Sequence, residues 1–200
     1  MKGTIKIIII AVVMLVIMLI PLPADDLYLR FHVSEGEQED YRLYYSTADN
    51  PSFDGEHYID SSYDEKSGLV TFKIDAALEG AITGLRFDFP PAEGVTVIDG
   101  ISSNSGGIVK NRFPVAEIFN DGNYLMVNGA LLSTVAAREY VYASTTPDDP
   151  FVVFTPEVSS KMTSGFSHKF STKLVIVLLI ALGLFFYNKD YFGKLSTKGN

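Results

Sequence analysis

The sequence predicts an all-β domain, an antiparallel β-sandwich of 7–9 strands, flanked by two transmembrane helices. Three observations predict it. Two apolar runs, IIIIAVVMLVIMLI at 7–20 and LVIVLLIALGLFFY at 174–187, bracket a polar and acidic middle. Within that middle, apolar residues recur at every second position, the period of a half-buried strand. Turn residues punctuate it about every ten positions, as in a sandwich of short strands.

The first apolar run follows Lys2 and Lys6 and ends at Pro21-Leu22-Pro23. Each central apolar side chain favours insertion by roughly 0.3–0.6 kcal/mol, so fourteen of them favour the bilayer by several kcal/mol. A full span takes ~20 residues. The first run reaches that length from Ile5 to Leu22 if Lys6 snorkels, and the second reaches back to Phe170 if Lys173 does. Neither run shows the one-sided periodicity of a soluble amphipathic helix. A basic start followed by an apolar core also describes a signal peptide, although Leu22 is a poor residue three positions before a cleavage point. As anchor or as signal, the first run sends the middle of the chain across the membrane.

Charge agrees with that topology. From Ala24 to Ser160 there are 23 acidic and 8 basic residues, a net of −15, while the two ends carry 8 Lys and one Asp. Lysines before the first run and after the second place both termini in the cytoplasm by the positive-inside rule. The expected organisation is residues 1–23 as cytoplasmic N-terminus and first helix (or signal peptide), 24–158 as the extracytoplasmic sandwich, 159–172 as a tether, 173–188 as the second helix and 189–200 as a basic tail. The expected location is the cell membrane, crossed twice, with the lipid bilayer as a partner. About 135 residues suffice for one self-supporting core. With no cysteine there is no disulfide framework, which suits a bacterial envelope. The acidic surface argues against nucleic acid, which needs a basic one.

Within the domain, Leu27, Leu29, Phe31 and Val33 alternate with Tyr28, Arg30 and His32 in a first strand. SEGEQED at 34–40 reads as an acidic turn and YRLYYS at 41–46 as a second strand. Residues 47–66 read as a long polar connection. LVTFKID at 69–75 and the alternation of Leu85, Phe87 and Phe89 give two further strands, with 76–81 a turn and Pro90-Pro91 a stop. Residues 95–101 form a strand that Asp99-Gly100 should break. Asn120-Asp121-Gly122-Asn123 suggests a hairpin between 115–119 and 124–127. Residues 130–137 fit a short helix or a strand equally. Strands at 140–143 and 151–154 flank a Pro-Asp-Asp-Pro turn, and 156–172 reads as tether.

These segments carry a resemblance. The Tyr44-Tyr45 strand, the loop with Phe53 and Glu56, the Leu85-Arg86-Phe87-Asp88 strand and the Asp149-Pro150 turn before a final strand resemble an exported β-sandwich domain. That domain follows the first transmembrane helix of bacterial envelope glycosyltransferases and related polysaccharide-assembly membrane proteins. The resemblance covers residues 24–158 and implies an accessory or glycan-binding role in envelope polysaccharide assembly. A polytopic catalytic core is missing from this chain, so transferase activity does not carry over.

No catalytic signature appears: there is no HExxH, no Gly-x-Ser-x-Gly and no phosphate loop. The expectation is a non-enzyme, with a carboxylate-dependent envelope hydrolase as the remote alternative. Tyr45, Phe53, Tyr58 and Tyr63 are the candidate glycan contacts, because aromatic faces among carboxylates and amides can stack on sugar rings and bond their hydroxyls. Asp49, Asp54, Glu56, Asp60 and Asp64 crowd one stretch; the expectation is no cofactor, with calcium, which takes six to eight oxygens, as the alternative there. His57, beside Glu56, reads as an exposed loop residue, and Arg86 and Asp88 as exposed cross-strand contacts. The partners expected are envelope polysaccharide or a polytopic membrane protein, the latter making the chain a non-catalytic structural subunit.

Overall fold

The computed structural model describes residues 25–37, 40–105, 110–135, 139–164, 175–180 and 183. The chain divides into two compact units: Ala24–Ser167, and Met1–Pro23 together with His168–Asn200. In the second unit, residues 175–180 and 183 are helical. The first apolar run and half of the second lie outside the described residues, and no described helix is long and apolar enough to cross a membrane.

The first unit is β-rich, with twelve described strands in two antiparallel sheets. They are β1 (Leu27–Glu35), β2 (Arg42–Thr47), β3 (Tyr58–Asp60), β4 (Ser62–Asp64), β5 (Leu69–Ile74), β6 (Ile82–Asp88), β7 (Gly94–Ser105), β8 (Asn111–Phe113), β9 (Tyr124–Asn128), β10 (Ala130–Val135), β11 (Tyr140–Thr145) and β12 (Phe151–Phe154). The seven-stranded sheet runs β10-β11-β7-β1-β5-β4, with β8 also paired to β7. The five-stranded sheet runs β3-β2-β6-β12-β9. Both sheets give their alternate side chains to one core. Leu29, Phe31, Phe72 and Ile98 come from the first sheet, and Leu43, Leu85, Phe87 and Val152 from the second; all are fully buried. Phe31 and Phe87 meet across the sheets with ring centroids 4.6 Å apart.

The strand count exceeds the expected 7–9 because β3, β4 and β8 are three residues each, too short to show a period. β3 and β4 both fall within the stretch read as a polar connection. Ser34 and Glu35 extend β1 into the expected acidic turn, and residues 76–78 of the expected turn form a single 3-10 turn. Asp99-Gly100 does not break β7. His32 pairs with Gly100 and Val33 with Ile98, so Asp99 is the extra residue of a bulge and the strand bends instead of ending. Beyond the bulge the same edge of β7 changes partner, from β11 at Gly94–Ile98 to β8 at Ile101–Ser103. Residues 130–135 are a strand.

Two segments are helical against expectation. Residues 115–118 form a short helix, α1 (Val115–Ile118), and the Asn-Asp-Gly-Asn stretch links it to β9 instead of closing a hairpin. Val115, Ile118 and Phe119 sit at helical spacing and are buried. The start of the expected tether is α2 (Pro156–Thr163), with Thr155 capping Val158 N–H and Pro156 in the first turn. α2 takes over where β12 stops pairing with β6. Buried Ser159 Oγ accepts the Leu85 N–H at 3.0 Å, a donor that β12 no longer reaches, and Val158 and Met162 fill the core.

Candidate functional site

The four predicted glycan contacts do not form one platform. Tyr58 and Tyr63 are five residues apart, yet β3 joins the five-stranded sheet and β4 the seven-stranded one, with Ser61 as the crossing point. Tyr58 stands at the outer edge of its sheet, 39% exposed, with its ring 5.6 Å from Tyr44 and the Arg42 guanidinium 5.2 Å from its centroid. Tyr45 packs against the core and meets the His57 ring edge-on at 5.5 Å. Phe53 lies over Gly84, where a Cβ would come within 3.2 Å of its ring. Tyr63 is half-buried at the opposite sheet and lines a cavity there.

The candidate calcium ligands do not converge either. Asp54 accepts from Asn50 Nδ2 at 2.7 Å, from the His57 ring at 2.9 Å and from the Glu56 N–H at 3.1 Å. These bonds hold its carboxyl well below the usual range, the Asn50 bond most strongly and the His57 bond next. His57 is thus a half-buried partner of Asp54 and not a free loop residue. Asp60 pairs with Arg42 at 3.3 Å. Asp64 closes the 64–68 turn, taking Ser67 Oγ at 2.6 Å and Lys66 N–H at 3.1 Å. Asp49 and Glu56 are exposed. Among the described residues no three His, Cys, Asp or Glu side chains are placed to hold a metal ion.

Arg86 and Asp88 are not exposed contacts. The Arg86 guanidinium bonds both Asp88 oxygens at 2.7 Å and Asp149 at 2.9 Å. It lies between the rings of Phe151, 3.7 Å from the centroid, and Tyr44, at 5.0 Å. Asp88 is 8% exposed, and burial pushes its carboxyl up to about 6 against the pull of Arg86. The constellation satisfies itself and acts as a pin joining β2, β6, β12 and the 147–150 turn.

The open, polar concavity lies on the outer face of the seven-stranded sheet. Register builds it. Arg30 of β1 pairs with Ser102 of β7, and Ser102 pairs with Arg112 of β8, so a small residue sits between two long cations in one row. In the next row His32 faces Gly100, whose missing side chain deepens the floor; a Cβ there would meet His32 at 3.1 Å. The cavity over this floor has a volume of about 370 Å³ and is lined also by Lys110 and Glu139. A second cavity of about 370 Å³ continues beyond His32, bounded by Ser34, Glu35, Tyr63, Lys66 and Ser67. His32 walls both, so the two adjoin as compartments of one trough on either side of its ring, with Tyr63, whose strand partner Val70 faces the core, reaching the second from the inner side of the sheet.

His32 Nδ1 is bonded to Asp99. Its Nε2 faces Gly68, on the β5 side of β1, while Ser102 lies on the β7 side. Asp99, His32 and Ser102 therefore do not line up as a nucleophile and its base, which requires the serine hydroxyl within reach of the free ring nitrogen. The trough offers cations, hydroxyls, carboxylates and one tyrosine edge. Of the predicted residues only Tyr63 belongs to it. In the sequence Arg30 reads as a strand residue and Lys66 as the end of a polar connection, while Lys110 and Arg112 fall in no expected element; what gathers them is the pairing of β1 with β5 and β7, and of β7 with β8.

Comparison with protein-family models, curated proteins and solved structures finds no match to this chain.

Proposed function

We propose that the protein is a membrane-anchored, extracytoplasmic β-sandwich that binds envelope glycan as an accessory module of bacterial polysaccharide assembly, without catalysing a reaction. The observation that supports this most is the trough. Along β1 it runs from Arg30 to Gly36, six residue steps or about 20 Å, in two compartments that meet at His32 and together are several sugar rings long. Ser34, Ser67, Glu35 and the Tyr63 edge provide hydrogen-bonding groups of the kind that hold sugar hydroxyls. The apolar runs and the charge asymmetry supply the anchoring and topology. The alternative, a structural subunit docked on a polytopic membrane protein, rests on a different observation: Leu125, Met126 and Leu131 are 67%, 56% and 74% exposed on the edge strands β9 and β10.

The test is retention of glycan, extracted from native envelopes, by the full chain in nanodiscs. Ser102→Trp, which fills the trough floor, is expected to reduce retention to background, while Tyr58→Ala on the far sheet leaves it unchanged. Thermal melts of both variants confirm folding. The reverse pattern removes the trough as the site, and no retention by the unmodified chain removes glycan binding.

A further inference from the structure

The Lys and Arg side chains of the domain fall into two groups. Among the described residues of Ala24–Ser167, Arg42 pairs with Asp60, Lys73 with Asp26, Arg86 with Asp88 and Asp149, and Lys161 with Glu117. The remaining four, Arg30, Lys66, Lys110 and Arg112, form no ion pair among the described residues, and all four line the trough. In a segment carrying a net −15, cations have carboxylates to pair with almost everywhere. Three of the four line the first cavity, which gives that cavity the potential to attract an anion in an otherwise repelling surface, whereas Glu35 and Glu65 offset Lys66 in the second.

The first cavity holds the stronger charge. Arg30, Lys110 and Arg112 outnumber Glu139 and Asp99, and Asp99 is engaged by His32. Arg30 and Arg112 stand one strand to either side of Ser102, so their Cα atoms are about 10 Å apart at the usual strand spacing. That gap admits a carboxylate or phosphate between two guanidinium forks, a geometry suited to paired, charge-assisted hydrogen bonds. Arg30 is already oriented: it donates to the Asn104 side chain and its guanidinium lies 5.2 Å from the Tyr28 ring centroid. Binding then costs little further ordering of that side chain.

Resting on the glycan-binding reading above, we infer that the ligand is an acidic saccharide. Its anionic group, a uronate carboxylate or a phosphodiester, seats between Arg30 and Arg112 with Lys110 beside it, and its neutral rings extend past His32 toward Tyr63 and Ser67. Neutral glycan is bound far more weakly at this site.

Calorimetry on the full chain in nanodiscs of zwitterionic lipid tests it with four probes: an oligogalacturonate, a glycerol-phosphate oligomer, a neutral dextran oligomer of the same length, and vesicles of anionic lipid. One of the two anionic oligomers is expected to bind at least 10-fold tighter than dextran, and the tighter of the two identifies the charged group. Arg112→Gln is expected to weaken that binding roughly 10–100-fold, the loss of a hydrogen bond to a charged group. Lys110→Gln weakens it less, and Lys73→Gln, outside the trough, leaves it unchanged. Raising the salt weakens the unmodified chain more than Arg112→Gln. Equal binding of dextran and the anionic oligomers overturns the charge selectivity and leaves glycan binding standing. No saccharide binding at all overturns both. Binding of the anionic vesicles alone reassigns the clamp to a lipid headgroup and overturns the inference.

Discussion

Arg86→Ala is expected to destabilise the domain by about 3–5 kcal/mol, the cost of leaving one member of a buried ion pair without its partner. The orphaned group is Asp88, 8% exposed and bonded to Arg86 through both carboxyl oxygens. The substitution also strips the guanidinium from between Phe151 and Tyr44 and frees Asp149 and its turn. The effect depends on pH in a definite direction. Folded Asp88 titrates at about 6, above the ordinary carboxyl near 3.8. Between those values the folded state binds more protons than the unfolded one, so this group's contribution to stability rises as the pH falls from about 6 toward 4. In Arg86→Ala the cation that lowers Asp88 is gone, and its pKa moves higher still. The deficit of the variant is therefore largest near pH 7 and shrinks at pH 5, where Asp88 is neutral and only the packing loss remains. Asp88→Asn added to Arg86→Ala recovers part of the loss at pH 7. Denaturant titration at the two pH values, alone and in the double variant, measures all of this; a pH-independent deficit contradicts the burial of an uncompensated charge.

Phe87→Ala is expected to cost about 3–5 kcal/mol, the range for removing a large aromatic ring from a core. Its ring is fully buried and lies 4.6 Å from Phe31, 5.0 Å from Phe89, 5.6 Å from Tyr41 and 5.9 Å from Phe72. Phe31 and Phe72 belong to the opposite sheet, so the loss is a loss of sheet-to-sheet contact. The surrounding side chains hang from two rigid sheets and cannot collapse into the space. The chain has no Trp, so the unfolding signal is tyrosine emission or near-ultraviolet circular dichroism. A cost below about 1.5 kcal/mol would mean that the sheets do not share one core at this point.

How far the fold was legible follows from how each element is specified. The alternation in β1, β5 and β6 announced both the strands and their buried faces, because a period of two over six to nine residues is unambiguous. β3, β4 and β8 were invisible, since three residues carry no period and their conformation is imposed by the strand they pair with. α1 was misread because its Asn-Asp-Gly-Asn neighbour is a strong turn signal, although Val115, Ile118 and Phe119 already carried helical spacing. α2 had Thr155-Pro156 as a start signal, outweighed by the Ser, Thr and Lys that follow.

The site was less legible than the fold. Outward positions in β1 could be read as Arg30 and His32, but not that β7 would place Gly100 and Ser102 opposite them or that β8 would bring Arg112. Register between distant strands is a property of the whole packing, whereas the aromatic and acidic stretch at 49–64 looked like a site because its residues are close in sequence. The fold separates that stretch by sending β3 and β4 into different sheets.

The most direct test of the central claim, that the trough holds glycan, is photo-crosslinking in living cells. A photoreactive side chain is placed in the full chain at Lys66 and at Glu139, which line the trough outside the Arg30–Arg112 clamp, and separately at Tyr58 and at Leu131. After irradiation the purified chain is analysed for attached saccharide and protein. The account predicts saccharide at positions 66 and 139 and none at 58 or 131. Saccharide at 58 with none in the trough, or a protein adduct at 131 and no saccharide anywhere, contradicts it.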